Sequence, residues 1–537
     1  MVRRLIAPNP DWDTMRQAFR WDIPPTFNIA DSCCTSWAMQ DPDRVALIHL
    51  DAEGEEQRWT YGMLEQSSNK LANAFAAQGL KRGDRLAILL QQGPAVLLCH
   101  FAAYKLGAVA LPLFTLFGEE ALAYRLADSG AKIVVTNQDN LAKVMALRND
   151  LPELAEVYSI DPTVTPVRSF YDDIASSSDT VSPVMTTPDD PALLVYTSGT
   201  TGPPKGVLHG HRVLLGHLPS VELHHEFFPQ AGDRGWTPAD WAWMGGLLNM
   251  ALPCLHYGVP LISRRMRKFD PTEAFQLIIK HKLRNLFMPP TALKLMQQDT
   301  VPNGMNLRSV SSGGESLGAP LLEWATGALG CHINEIYGQT ECNLVISSQG
   351  GGGHLLAGAM GLAVPGHDVS VIGSDGEKLA AGETGEIAIR SPDPAMFLRY
   401  WNKPEATIAK FTGDWMRTGD LGSVDSGGYF TFSSRDDDVI TSSGYRIGPS
   451  EIENCLGGHP DVVMAAVIGV PDTVRTEVVK AFVVLREGAE WDGLEAVLIA
   501  RVREKVSPHV APRWIERMEA LPMTATGKIM RRELRGK

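Results

Sequence analysis

The segment YTSGTTGPPKG at 196–206 gathers hydroxyl, glycine and proline residues ahead of a lysine, Lys205. An apolar run, Ala192-Leu193-Leu194-Val195, leads into it and reads as a buried strand. Glycine lets main-chain N–H groups approach an oxyanion closely, hydroxyls add donors, and the lysine adds a point charge. The pattern predicts a phosphate cradle. It is not the Walker loop, because Pro204 precedes Lys205 and Gly206 follows it where that loop needs Gly and then Ser or Thr. The same residue types also build ordinary turns, but the length, the order and the terminal lysine favour phosphate.

Three further segments carry groups of complementary type. Tyr337-Gly338-Gln339-Thr340-Glu341 follows a strand-like run ending at Ile336, Thr418-Gly419-Asp420 sits in GDWMRTGDLG, and Thr526-Gly527-Lys528 lies in PMTATGKIMRREL. Singly, they read as a strand-end turn, a surface turn and a basic tail. Together with the lysine loop, and in this order, they form a specific set.

The elements that must position them follow from periodicity. Apolar runs at 85–90, 108–113 and 131–136 alternate with helical patterns at 95–106 and 119–128, which predicts a parallel sheet with helices on its faces. The alternation resumes with a helix at 272–282 and strands at 286–288, 307–311 and 332–336. From 367 to 432, short strands and Gly-rich turns such as GEIAIR and GGYFTF predict a small antiparallel or barrel-like section. After Ser434 comes the charged knot Arg435-Asp436-Asp437-Asp438. Beyond it lies a compact α+β pattern: a helix from 449, strands at 462–470 and 478–485, and a helix at 494–505. The expected fold is α/β with a barrel: a large N-terminal domain, 1–434, and a small mobile α+β domain, 435–537.

The 537 residues carry a formal charge of −13, which argues against general nucleic-acid affinity, so a polyanion must meet a local cluster of cations. Seven cysteines without metal-like spacing read as reduced and cytoplasmic. The N-terminus lacks the apolar core of a secretory signal, and the C-terminal RGK is neither a prenylation nor a peroxisomal signal. The uncharged stretch 241–263 is broken by Pro253, Pro260 and glycines, which predicts a buried helix and turn rather than a membrane span. His209, His211, His224 and His225 have no acidic or cysteine partner at ligand spacing and read as solvent or core histidines.

The four segments together resemble the AMP-forming adenylate synthetases, from about residue 30 to the end. SSGYRIGPSEIE at 442–453 and TPADWAWMGGLLNM at 237–250 narrow the likeness to medium-chain acyl-CoA synthetases. The resemblance implies an ATP-dependent acid–CoA ligase that forms an acyl-adenylate, releases pyrophosphate, and passes the acyl group to coenzyme A. It implies that Thr197, Ser198, Gly199, Thr200, Thr201, Gly202 and Lys205 cradle the pyrophosphate portion of ATP. Glu335, Ile336, Tyr337, Gly338, Gln339 and Thr340 would border adenine and the α-phosphate, with Gly313, Gly314 and Glu315 across the base. Thr340 and Glu341 would be catalytic, Glu341 holding Mg2+, a hard cation suited to carboxylate and phosphate oxygen. Asp420 would accept from the ribose hydroxyls, Arg435 would touch ribose or phosphate, and Lys528 would reach the α-phosphate and the carboxylate.

In the same resemblance Asp437 is the hinge, and Ser434 stands where the family usually has glycine. Ser443, Gly444, Tyr445 and Arg446 would line the pantetheine tunnel. Arg475 and Arg513 are candidates for CoA phosphates, a surface ion pair being nearly as good a reading of each. Gly338 lies where acetate-type members place a tryptophan, which favours an acid longer than acetate: medium-chain, branched, aryl or sulfur-containing. Trp236, Trp241 and Trp243 are candidates for the acyl pocket, with plain core as the alternative. Three rivals stand beside the ligase: an adenylation enzyme loading a separate carrier protein, since the chain ends nine residues after Lys528; a luciferase-like oxygenase; and a nucleotide-binding regulator without chemistry. The partners expected are small molecules, with no nucleic acid and no membrane span.

Overall fold

In the computed structural model, two large sheets and a smaller third one carry the chain. The structure describes residues 4–9, 11–197, 203–266, 268–314, 317–435, 438–442, 445–472, 476–524 and 528–535. The first sheet has eight strands, with a parallel core of Pro191–Thr197, Val109–Pro112, Arg85–Leu89, Ala131–Thr136 and Glu156–Ser159 in spatial order. These strands are buried on both faces, so they read as continuous apolar runs rather than alternating ones. The helix Pro94–Lys105 is buried along its entire length, which explains its lack of a polar face.

The second sheet has fourteen strands. Its parallel part contains Val45–Leu50, Leu261–Arg264, Gly235–Trp236, Asn285–Phe287, Ser309–Gly313 and Ile333–Gln339. The helix Pro271–Lys280 that covers part of it starts sharply for local reasons: Asp270 caps the Glu273 N–H at 3.0 Å, Pro271 presets the first turn, and Ala274, Phe275, Leu277 and Ile278 face the core. The antiparallel section expected over 367–432 forms, but not as a separate closed barrel among the described residues. Its strands Val369–Ile372, Gly385–Arg390, Trp415–Val424 and Tyr429–Arg435 continue the parallel sheet through Gly361–Ala363 and Cys342–Ser347.

Arg435 pairs with Asp420 and so still belongs to the second sheet, while Ile440–Ser442 opens the third. The third sheet joins Thr476–Leu485 antiparallel to Val462–Asp472 and parallel to Trp514–Met518, with helices Pro449–Gly457 and Leu494–Lys505 packed on it. The uncharged stretch 241–263 forms a helical segment over 244–256, then a turn, and ends in the strand Leu261–Arg264; among the described residues no helix is long and apolar enough to cross a membrane. All seven cysteines are free. Burial pushes every one of their thiols above the ordinary range.

Candidate active site

The carboxyl ends of Pro191–Thr197, Ser309–Gly313 and Ile333–Gln339 open onto one cavity of about 1060 Å³. Ligands in open α/β sheets collect at such strand ends. The cavity is lined by Thr197, Lys205, Gly314, Glu335 through Glu341, Asp420 and Arg435 from the two large sheets, and by Lys528 from the third unit. Groups from four distant segments thus face one space.

The strands on either side of the lysine loop pair antiparallel: Thr197 pairs with Lys205, and its hydroxyl donates to the Lys205 carbonyl at 3.4 Å. Ser198, Gly199, Thr200, Thr201 and Gly202 lie outside the described residues. Lys205 starts the return strand, and its ammonium stands 5.1 Å from the centre of the Tyr400 ring. Tyr400 arrives there because Arg399–Tyr400 pairs with Val207 and Leu208. Its hydroxyl donates to the Glu341 carboxylate. Tyr400 therefore touches both the cation and the acid of the site, and no local pattern in the sequence marks it.

Thr340 and Glu341 form the two-residue turn between Ile333–Gln339 and Cys342–Ser347, with Gln339 paired to Cys342. Buried His209 donates from Nε2 to the Thr340 carbonyl at 2.8 Å, and the Phe397 N–H donates to the Glu341 carbonyl at 2.7 Å. These bonds hold the turn against the cavity. Asp420 Oδ2 accepts from Tyr337 Oη at 2.8 Å and Gln339 Nε2 at 2.7 Å, while Oδ1 lies 3.6 Å from Arg435. Lys410, another residue without a sequence signal, reaches the Gln339 side-chain oxygen at 3.4 Å. Burial pulls its ammonium below the usual lysine range, opposed by the facing Glu341 and Asp420.

Glu335 lines the same cavity, 9 % exposed, and burial pushes its carboxyl up to about 8. At Gly314, with φ of +100°, an added Cβ would stand 3.6 Å from Lys528 Cε and 3.7 Å from the Trp243 ring. Lys528 thus reaches the glycine pair from a loop closed by its own N–H on Thr524 at 3.0 Å.

A family profile described as AMP-binding enzyme matches residues 34–401, and one described as AMP-binding enzyme C-terminal domain matches 451–528. The chain belongs to the AMP-binding enzyme family. It is 34% identical over 535 residues to the mitochondrial acyl-coenzyme A synthetase ACSM2 of Rattus norvegicus, covering 96% of this chain and 92% of that one. It is 32% identical over 509 residues to the acetyl-coenzyme A synthetase of Bacillus subtilis (strain 168), covering 92% and 87%. Among solved structures, the anthranilate CoA ligase AuaEII bound to anthranoyl-AMP superposes with a TM-score of 0.88 at 27% identity, over 96% of this chain and 98% of that one. Relatives named for mitochondria give the cytoplasmic expectation no support.

As an AMP-binding enzyme, the chain departs from several expectations. Trp243 lines the cavity, but Trp236 and Trp241 do not. Trp236 is fully buried between two parallel strands, packed with Ile262, Phe275 and Leu286, and Trp241 is buried in the main core. Gly338 lines the cavity, yet an added Cβ would meet the Leu344 backbone N at 2.3 Å. Glycine is demanded there by the backbone of its own hairpin, so its presence is no measure of acid length. Gly313 is needed for the same reason, 2.3 Å from the Ile336 carbonyl.

Arg513 sits off the cavity in an ion pair with Asp472 at 3.0 Å. Tyr445 and Arg446 contribute backbone to the strand Tyr445–Ile447. Glu315, Asp437, Ser443, Gly444 and Arg475 lie outside the described residues. His209, His211, His224 and His225 are core histidines, and burial lowers all four.

Two outcomes are expected. Gly338→Ala must displace the Leu344 backbone at a cost of about 1–3 kcal/mol, lowering the melting temperature and the activity with every acid alike. A changed acid-length profile at unchanged melting temperature would restore the pocket-wall reading. For Glu335, a folded-state pKa above the ordinary 4.5 means that the native state keeps a proton the unfolded chain loses. Its stabilisation is complete below about pH 4.5 and fades as pH rises through about 8. Glu335→Gln should therefore flatten the fall in stability between about pH 5 and pH 9 by about 1–3 kcal/mol, read from denaturant melts across that range.

Proposed function

We propose that this chain joins a carboxylic acid to coenzyme A in two steps at the one cavity, consuming ATP and releasing AMP and pyrophosphate. The observation that carries this reading is Lys528 of the C-terminal unit standing beside Gly314 and Trp243, in the same cavity as Lys205, Glu341 and Asp420. A carboxylate is a poor acyl donor because its oxygen leaves poorly. When that oxygen attacks the α-phosphate of ATP, the bond from phosphorus to the bridging oxygen breaks and pyrophosphate departs with the electron pair. The acyl carbon is then bonded to a good leaving group. A thiolate sulfur attacks it, and AMP departs.

Both acid and nucleotide are anions, so fixed positive charge at their meeting point lowers the barrier. Lys528 supplies it beside Gly314 and Lys205 supplies it at the start of its strand. Asp420 offers its carboxylate to the ribose hydroxyls, and Tyr337 and Gln339 hold that carboxylate in place. Glu335 faces the position where the resemblance places the adenine edge. The carboxylate of Glu341 also suits Mg2+: Tyr400 occupies one oxygen, and among the described residues there is no cluster of three acidic, His or Cys groups. Such a site fits a hard cation shared between one carboxylate and the substrate's own phosphates, to which it would supply charge neutralisation.

The acid enters on the Trp243 side, where the Phe287 ring lies tilted against the indole at 5.4 Å between ring centres. That apolar wall favours an acid with a hydrocarbon or aryl body, each methylene counting for about 1–3 kcal/mol. Rotation of the C-terminal unit about Asp437 would withdraw Lys528 and bring residues 443–446 to the thiol. A carrier-protein thiol in place of CoA remains the rival of specific content.

A pyrophosphate-release screen over carboxylic acids, with and without CoA, tests the reading; release without thioester in the presence of CoA would favour the carrier-protein rival, and no acid-dependent release would overturn the whole. Within it, Lys528→Ala should slow adenylate formation by about 10²–10³-fold while still converting supplied acyl-adenylate to thioester. Equal loss in both half-reactions would remove Lys528 from the first step.

A further inference from the structure

Lys410 takes no part in the steps above, yet it lines the cavity that serves them. It closes the helix Pro404–Ala409 and precedes the short strand Phe411–Thr412, which pairs antiparallel with Met416 and Trp415. Its carbonyl accepts from the Arg417 N–H at 2.8 Å, so its backbone is tied to the strand Trp415–Val424 that carries Thr418, Gly419 and Asp420. The ammonium turns to the same place: Nζ donates to Gln339 Oε1 at 3.4 Å and to the Thr418 carbonyl at 3.5 Å. Gln339 continues the link, its Nε2 donating to the Thr418 carbonyl and to Asp420 Oδ2, both at 2.7 Å. Glu341, Asp420 and Glu386 attract the ammonium, and Arg435 repels it.

A glutamine amide has a donor end and an acceptor end on a flexible stem. In Gln339 the donor end is spent on Thr418 and Asp420, and Lys410 engages the oxygen. We propose that Lys410 is a positioning residue for the sugar of the nucleotide: it clamps Gln339, and through Gln339 holds the Asp420 carboxylate in the attitude that receives the ribose hydroxyls. Gln339 and Tyr337 both bond Oδ2, which leaves Oδ1 for the ribose. Loosening Gln339 lets that carboxylate turn, and a hydrogen bond weakens steeply once its angle is lost. The sugar rather than a phosphate is assigned because two of the ammonium's three donors are already committed to protein oxygens adjoining Asp420.

The inference rests on the nucleotide reading above, so its test compares AMP with 2′,3′-dideoxy-AMP, titrated calorimetrically into the full-length wild type, Lys410→Met and Lys410→Arg. The two ligands share base and phosphate, so the ratio of their affinities isolates the ribose hydroxyls. Lys410→Met should lower the preference for AMP about 3- to 30-fold, the range of coupling within one hydrogen-bond network. Lys410→Arg keeps the charge and the donors, and should hold the ratio within about twofold of the wild type. In a Gln339→Met background, Lys410→Met should change the ratio less than about twofold, because the link it acts through is gone. Equal weakening of both ligands would place Lys410 on the phosphate, and a full-sized change without Gln339 would route its effect elsewhere; either overturns the inference. Should Lys410→Met fail to fold, Lys410→Gln, which shortens the side chain and removes the charge, decides in its place. A wild type that binds no AMP would sink the nucleotide reading and this inference with it, whereas AMP binding with an unchanged ratio in the variant sinks the inference alone.

Discussion

A nucleoside triphosphate and a carboxylate repel each other, and the geometry of this protein answers that repulsion. The chain as a whole is acidic, at −13, so bulk charge works against both ligands. What attracts them is local: Lys205, Arg125, Lys410, Arg435 and Lys528 all line one cavity. In a partly desolvated space such charges act far more strongly than at an open surface. The cations are spread along the cavity, which suits an elongated polyanion better than a single small anion.

Holding those charges fixed is the work of backbone geometry. Strand ends from two sheets converge, and within the second sheet Gly313 and Gly338 lie so close to the backbone of the neighbouring strand that they admit no side-chain carbon. The hairpin carrying Thr340 and Glu341 is pinned from behind by His209 and Phe397. Tyr400 joins the two sheets functionally, one ring beside Lys205 and its hydroxyl on Glu341. Donors and acceptors are thus oriented before any ligand arrives, the condition under which electrostatic catalysis is effective.

The parts of the site legible in sequence were those whose function is local. Lys205, Glu341, Asp420 and Lys528 sit in short segments whose composition already implies a turn or loop, and the structure brings all four to one cavity. The strands at 85–90 and 131–136 and the helix at 494–505 were equally legible, because burial on both faces or helical spacing leaves a periodic mark. What stayed hidden depends on partners far along the chain. Tyr400 matters through a strand pairing with Val207. Trp236 and Trp243 look alike in sequence, yet one lies between two strands and the other at the cavity edge. Gly338 shows the converse error: a position interpreted through its ligand turned out to answer to Leu344.

The state of the sulfur atoms has a chemical consequence. An acyl-adenylate reacts with any accessible thiolate, and the intended acceptor is itself a thiol. None of the described residues lining the cavity is a cysteine, and every cysteine of the chain is kept in its protonated, weakly nucleophilic form by burial. Among the described residues, the cavity therefore offers its activated intermediate no thiol to compete with the intended acceptor.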